Sequence, residues 1–416
     1  MAVDFSLLPA EEVFKGKRPS PWFWSMAFVV MVATGVAWIC LAWPDDLPTD
    51  TLRFWATVTI FPVLIPAFIV LRRYAWYEGG RERVELHNEA VRQYNEWVFS
   101  AASIPLALLG AAYRVSAEPG ENAATGIRHG ALVLRTRVPR AVGAEPVRAR
   151  WLEVAGMPTR TDHVDADRHR ARHVTAWLFD ELVGELSSRI AALPASLPLH
   201  VHLAVANGLA PEENRALWTQ RSELLLSRSL MLADDAAPVD LFGLDGWLDR
   251  LLADKDQHAR LVVAVQLQPL LKGSPAPGMA EAGAAVLLLP DGVARQRGIP
   301  RRASLHRPVR SRAEQAQESF STALRWAPAS SGKIAGVWHA GLDATPAGAL
   351  RTAIVKAELD ALPTDLDQTV GDAGVAAPWL ALACAAATLA EAGHQVIAVG
   401  REEQIDCAVL AGTNAQ

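Results

Sequence analysis

Residues 22–43 read WFWSMAFVVMVATGVAWICLAW, and residues 54–71 read FWATVTIFPVLIPAFIVL. Neither stretch contains a charged side chain. A helix needs roughly 20 apolar residues to cross a hydrocarbon core about 30 Å thick. The first stretch meets that length and the second is near its short limit. Pro62 and Pro66 predict a kinked second span, tolerated where a neighbour satisfies the freed carbonyls. Trp22, Trp24, Trp38, Trp43, Trp55, Tyr74, Trp76 and Tyr77 gather at the ends, where amphipathic rings favour the boundary with water. These features predict a membrane hairpin over residues 1–77, with helices at 22–43 and 54–71. A signal peptide is disfavoured, because no small-residue cleavage site follows the first span and a second apolar span does.

Lys15, Lys17 and Arg18 precede the first span, and Arg72, Arg73, Arg81 and Arg83 follow the second. The turn between them holds Asp45, Asp46 and Asp50 against Arg53. Short loops rich in Lys and Arg stay in the cytoplasm. Both termini are therefore expected there, with everything after Leu71 a cytoplasmic domain on an inner membrane of bacterial type. The 416-residue chain carries a formal net charge of −5, which argues against a nucleic-acid partner. Cys40, Cys384 and Cys407 are scattered and form neither a disulfide framework nor a metal spacing.

Beyond the hairpin, residues 78–100 predict a linker helix, with Val84, His87, Val91, Tyr94 and Val98 at helical spacing. A larger domain is expected over 101–416, in halves of about 101–255 and 256–416. Ile104–Val115 reads as a strand, 117–130 as a loop, and Ala131–Val154 as short arginine-rich strands. Trp177–Leu193 predicts a helix, PLHVHLAV at 198–205 a strand, and Pro211 opens a helix in its favoured first-turn position. From Asp245 onward apolar strands alternate with helices, which implies a layered α/β domain with a covered sheet.

Three stretches carry a resemblance. The first pairs LVVAVQL at 261–267 with AEAGAAVLLL at 280–289. The second is GVWHAGLDATPAGALRTAIVKAEL at 336–359. The third is VGDAGVAAPWLALACAAATLAEAGHQVIAVG at 370–400. In order and residues they resemble the thiolase-like family, in particular the β-ketoacyl synthases. The resemblance covers roughly the C-terminal 150 residues, within ordinary domain sizes. It implies a layered α/β/α thiolase-like domain and a homodimer. It also implies a cysteine nucleophile at a helix start and two catalytic histidines.

The residues depart from that pattern. The segment where the nucleophile belongs is PVDLFGLDGW at 238–247, without cysteine, serine or threonine. Asp240 and Asp245 are the residues to compare with that position. His339 matches the first histidine. The second falls on Asp372, and an anion there repels an oxyanion. The lysine usual just before it corresponds to Gln368 or a neighbour. His339 and Asp372 are thus read as remnants, and no cofactor is expected.

Other clusters are weighed against plain readings. His163, Asp165, His169 and His173 could approach a metal, but Arg160, Arg168, Arg170 and Arg172 interleave them, and a solvated helix start is favoured. Arg295, Arg297, Arg301, Arg302, Arg307, Arg310 and Arg312 form the densest basic run. A solvated edge is favoured for it over apposition to the membrane or docking of an acidic partner.

The expectation is a membrane-anchored, non-catalytic adaptor or accessory protein of a secretion or envelope system, acting on an unidentified protein partner. Two alternatives stay open: a membrane-bound acyltransferase or condensing-type enzyme using Cys384, and a sensor of an acyl ligand.

Overall fold

The computed structural model describes residues 7–141, 143–156, 165–234, 239–254, 257–329, 331–390 and 393–413. The chain divides into two compact units, a hairpin unit ending at Ser100 and a larger unit beginning at Ala101.

The hairpin unit is built on α1 (Pro21–Ala42) and α2 (Leu52–Ala102). Ser20 caps α1 by accepting the amide of Phe23, and Pro21 takes the first helical position, where no amide is needed. No residue of α1 is fully buried, and one face, including Trp24, Phe28, Met31 and Gly35, is half-buried. Trp22, Trp38, Trp55 and Trp76 are all exposed, while Trp24 and Trp43 are half-buried. By length and composition both helices can cross a membrane. Gly35 marks their close approach, since a Cβ there would meet Pro62 at 3.1 Å.

The separate span and linker helix expected at 54–71 and 78–100 form one helix of 51 residues, about 76 Å long at 1.5 Å per residue. It runs through Pro62, Pro66 and the pair Gly79–Gly80. Extending an existing helix adds one hydrogen bond per residue and avoids a second nucleation, which outweighs two glycines at about 1 kcal/mol each. Pairs at helical spacing support the charged half, among them Arg81 with Glu85 at 3.0 Å and Arg92 with Glu89 at 3.2 Å.

The large unit begins with β1 (Leu106–Arg114), α3 (Ala124–Arg128), β2 (Thr136–Arg137), β3 (Val147–Arg148) and α4 (Ala166–Ala191). It continues through β4 (Leu199–Ala206), α5 (Pro211–Leu225), β5 (Met231–Leu232), α6 (Gly243–Asp254), β6 (Ala259–Gln266) and β7 (Ala282–Pro290). Then come α7 (Asp291–Gln296), β8 (Ala303–Leu305), β9 (Val309–Arg312), α8 (Ala316–Trp326), β10 (Ile334–Ala340) and α9 (Ala344–Lys356). The last elements are β11 (Pro363–Asp365), α10 (Leu366–Thr369), α11 (Ala377–Thr388), β12 (His394–Arg401) and β13 (Gln404–Gly412).

The main sheet has the order β11-β10-β12-β13-β8-β1-β7-β6-β4-β5, with β9 paired to β13. This order contains a duplication. β4 pairs in parallel with β5 and β6, and β7 runs antiparallel to both β6 and β1. β10 likewise pairs in parallel with β11 and β12, and β13 runs antiparallel to both β12 and β8. The two sets meet where β1 and β8 pair antiparallel, which is the arrangement of a local two-fold axis. The repeat therefore divides between Pro290 and Ala303, not near residue 255. Helices correspond too: α4 with α8, α5 with α9, α6 with α11.

Alternation along the strands sends side chains to two cores. On β7, Ala282, Ala284, Val286 and Leu288 join the core around α6 and α11, while Ala285, Leu287 and Leu289 join the one beneath α4 and α5. On β1 a bulge between Leu108 and Gly110 reverses the parity, so Leu106 and Leu108 share a core with Tyr113 and Val115. Every residue of α11 from Ala377 to Ala386 is buried. Both halves of the sheet contribute to its core, through Val286 on one side and Ile397 on the other.

α4 starts at Ala166, well before the expected Trp177. Its polar first turns are structural. Asp167 accepts the amides of Leu270, Leu271 and Lys272 at 2.8–2.9 Å. Arg170 is 2% exposed and grips Glu281 through two contacts of 2.7 and 2.5 Å. The segment expected as a loop at 117–130 holds a 3-10 turn at Pro119–Asn122 and α3.

Two buried histidines add a pH dependence. Burial pushes His306 down to about 4, and burial also lowers His394. His306 thus stays neutral in the fold at pH values where the unfolded chain is protonated. Its contribution is complete above the unfolded value near 6.5 and is lost as pH falls toward 4, up to about 3 kcal/mol. Urea unfolding of the large unit should show stability falling between pH 6.5 and 4.5, and His306→Asn should flatten that slope.

Candidate functional site

α6 follows Asp240, one of the two aspartates that the sequence resemblance sets against a nucleophile. The Oδ1 of Asp240 accepts the amide of Gly243 at 2.7 Å. Its Oδ2 accepts from Arg310 Nη2 at 2.8 Å and from Arg401 Nη1. Arg310 also holds Asp406 bidentately, at 2.6 and 2.7 Å, and lies over the ring of Phe242 at 4.5 Å. Burial works against the charge of Asp240, yet Arg310, Gly243 and Arg401 together keep its carboxyl below the usual range. Burial raises Asp406 despite Arg310, and the double carboxylate contact holds Arg310 firmly protonated.

The segment leading into α11 mirrors this arrangement. Asp372 Oδ1 accepts the amide of Gly374 at 2.8 Å. Its backbone is pinned on both sides, with its amide on Gly278 O at 2.8 Å and its carbonyl on the amide of Ala280 at 2.7 Å. Gly374 has φ +48° and faces Gln266, whose Oε1 accepts the amide of Val375 at 3.3 Å. Backbone amides before both helices are therefore occupied by the chain's own carboxylates. A helix start usually offers those amides to an external anion.

A cavity of about 350 Å³ lies between the two starts, lined by Val239, Asp240, Asp372, Pro378, Val399 and Arg401 among others. Asp372 lines it; His339 does not. His339 ends β10, is 3% exposed, and has no partner for Nδ1. Burial lowers its pKa, against the opposing pull of Asp365, its register partner on β11. Asp365 caps α10 through the amides of Asp367 and Gln368. Asp367 accepts the amide of Gly341 at 2.7 Å, and burial pushes its carboxyl up to about 7. Arg351 acts on His339 in the same direction as burial and against Asp365.

Cys384 is fully buried in the middle of α11, and burial raises its thiol far above the normal value, with Tyr113 as a hydrogen-bond partner acting the other way. Cys407 is pushed up to about 12 by burial. Neither can present a thiolate to an acyl donor at neutral pH. Iodoacetamide should leave Cys384 and Cys407 unlabelled in the native protein and label both after denaturation, read by peptide mass.

The basic run at 295–312 does not form a patch. β8 and β9 draw the run against the sheet, and several of its arginines meet acidic partners there. Arg307 is 2% exposed and meets Asp245 and Asp249 at 2.6 and 2.7 Å and the carbonyl of Ala102 at 2.9 Å. Arg301 and Arg295 both pair with the buried Asp291, at 2.5 and 2.6 Å. Arg310 belongs to the cluster above. Arg297, Arg302 and Arg312 remain on the surface. Net charge along a sequence says little once ion pairs from distant segments are folded in.

Of the proposed metal cluster, His163 lies outside the described residues. Asp165 precedes α4, His169 lies on its first turns, and His173 contacts the carbonyl of Ala155 at 3.1 Å. No group of three His, Cys, Asp or Glu able to hold a metal occurs among the described residues. Sequence reasoning also missed a cavity of about 530 Å³ lined by Arg135, Arg137 and Arg150 with Glu118, Glu121 and Glu153. Arg137 meets Glu153 at 2.5 Å and Arg150 meets Glu121 at 3.4 Å, so two of its three arginines are matched. The arginine density of 131–154 was the only available signal.

No family model matches the chain, and no curated protein matches it. Solved structures do. An oxazolomycin ketosynthase domain of Streptomyces albus JA3453 shares 15% identity at a TM-score of 0.49, over 74% of this chain and 95% of that one. Acetamide-bound OleA of Xanthomonas campestris shares 12% at 0.46, over 74% and 98%. A tetronic acid condensing enzyme shares 15% at 0.45, over 74% and 100%. The large unit is a mixed α/β structure with ketosynthase and other condensing-enzyme structures among those it is similar to.

Proposed function

We propose that this is a membrane-anchored protein whose thiolase-like unit acts by binding, not by carbon–carbon condensation. The observation that carries the reading is that Asp240 and Asp372 line one cavity and each accepts a backbone amide of its own segment. The resemblance sets Asp240 or Asp245 against the nucleophile and Asp372 against the second histidine, and Asp240 and Asp372 each already accept a backbone amide. A carboxylate tied to two arginines is a poor nucleophile. A second carboxylate facing the same cavity opposes the developing oxyanion, where even one lost donor costs about 2.7–4 kcal/mol. The hairpin confines that binding unit to a bilayer. The basic residues beside both spans support cytoplasmic termini on a bacterial inner membrane.

Homodimer formation belongs to the same proposal. β5 is one of the two edges of the sheet, opposite β11, and Met231 at 54% exposure and Leu232 at 36% are bare. An open apolar edge is a template for a second chain. A ligand-sensing role is favoured by the 350 Å³ cavity, whose walls mix valines and proline with the aspartates. Ligand-dependent thermal stabilisation would mark a sensor, since any species bound only by the fold stabilises it.

The test uses the full chain in nanodiscs with acyl-CoA or acyl carrier donors and malonyl extenders. The reading expects the protein to stay with carbonate-washed membranes and to form no condensed product. Product formation that is lost in His339→Ala would reverse it.

A further inference from the structure

The segment before α1 is strapped along α2. Asn88 makes two hydrogen bonds with the backbone of Glu12, both 2.8 Å. Asn95 donates to the carbonyl of Pro9 at 3.1 Å, and Phe14 sits edge-on to Tyr77 at 5.4 Å. The chain thus descends antiparallel to α2, from the level of Asn95 at Pro9 to that of Tyr77 at Phe14.

The contact between α1 and α2 sets the height of the cations near the strap. Gly35 meets Pro62. Going back from residue 35 to 21 is 14 residues, a rise of about 21 Å, and the same rise carries α2 from residue 62 to 76. Lys15, Lys17 and Arg18 lie between Phe14 and Pro21, so they are held beside the second span's end, level with Arg72, Arg73 and Trp76. Acidic residues lie higher: Glu12 is at the level of His87 and Asn88. Glu78 and Glu85 are occupied by Arg81. Among the described residues, none of the five lower cations is in an ion pair. Arg73 lies over Trp76 at 5.1 Å, and its Nη1 is buried with no hydrogen-bond partner.

We propose that Lys15, Lys17, Arg18, Arg72 and Arg73 form a collar, assembled by the strap, that binds the phosphates of anionic phospholipid headgroups. This rests on the membrane reading above. Five unpaired like charges at one level repel one another unless anions lie among them. The Arg73 guanidinium, held over Trp76 at the expected hydrocarbon boundary, carries the planar fork of donors that matches a phosphate. The strap supplies three of the five charges, so its clip at Asn88 governs the site without touching the ligand.

The experiment is native mass spectrometry of the full chain released from nanodiscs of equal phosphatidylglycerol and phosphatidylcholine. The wild type should retain phosphatidylglycerol preferentially. Arg73→Gln and Lys17→Gln should each reduce the preference about fivefold, as expected for one base at an anionic surface. Asn88→Ala should reduce it too, although it removes no charge, which separates an assembled collar from bulk charge. Equal retention of the two lipids by the wild type, or an unchanged preference in all three variants, overturns the collar. A chain that does not enter the bilayer at all overturns the membrane reading itself, a different result from a chain that enters without preference.

Discussion

Replacing Glu281 with alanine should lower the stability of the large unit by about 3–5 kcal/mol, because it leaves Arg170 charged in the core. Glu281 is 0% exposed and Arg170 is 2%. The carboxylate has more than one duty. It also accepts the amides of Leu152 and Gln268, both at 2.9 Å, and so joins α4 to the segments on either side of it at the start of β7. Removing both charges, as in Arg170→Met with Glu281→Leu, should recover only part of the loss. The two amides would stay buried without an acceptor, at about 1–3 kcal/mol each. Urea unfolding of both variants beside the wild type would measure this. A full recovery in the double variant would show that the amides find other acceptors.

Gly400→Ala should be the second large effect, and it acts at the candidate site. A Cβ at Gly400 would lie 1.8 Å from the carbonyl oxygen of Gly341 and 2.5 Å from its carbon. Both are backbone atoms, so no rotamer change relieves the clash. Gly341 cannot move freely either: its φ is +66° and its amide is held by Asp367. The ends of β10 and β12 must part, opening the wall of the 350 Å³ cavity, with an expected loss of about 2–4 kcal/mol. Gly348→Ala provides the contrast. It lies within α9 with open space around it, so alanine should stabilise by about 0.5–1 kcal/mol. Thermal melts that moved in the same direction for the two variants would contradict the packing argument.

The hairpin was legible because its signal is local: uncharged length, interfacial aromatics and flanking bases. The strands of the large unit were legible for the same reason, since β6 and β7 are buried at every position and read as unbroken apolar runs. The duplication was not. Its two halves share strand order and orientation without shared residues, and β8 is only three residues long. The polar start of α4 was hidden because Arg170 and Asp167 find their partners about a hundred residues away. The same distance hid the fate of the arginine run, where Asp240, Asp245 and Asp406 turn surface-looking charges into buried pairs. At the candidate site, the lack of cysteine, serine and threonine at 238–247 and the aspartate at 372 could be read from the chain. That both aspartates accept amides of their own segments could not, because those contacts depend on the turn each segment adopts.

The proposed binding reading requires that none of the described residues lining the cavity between α6 and α11 takes an acyl chain covalently. Intact-mass measurement of the full protein after incubation with excess acyl-CoA at neutral pH tests it most directly. An unchanged mass is the predicted result; an added acyl mass that maps to a residue of that cavity would contradict the account.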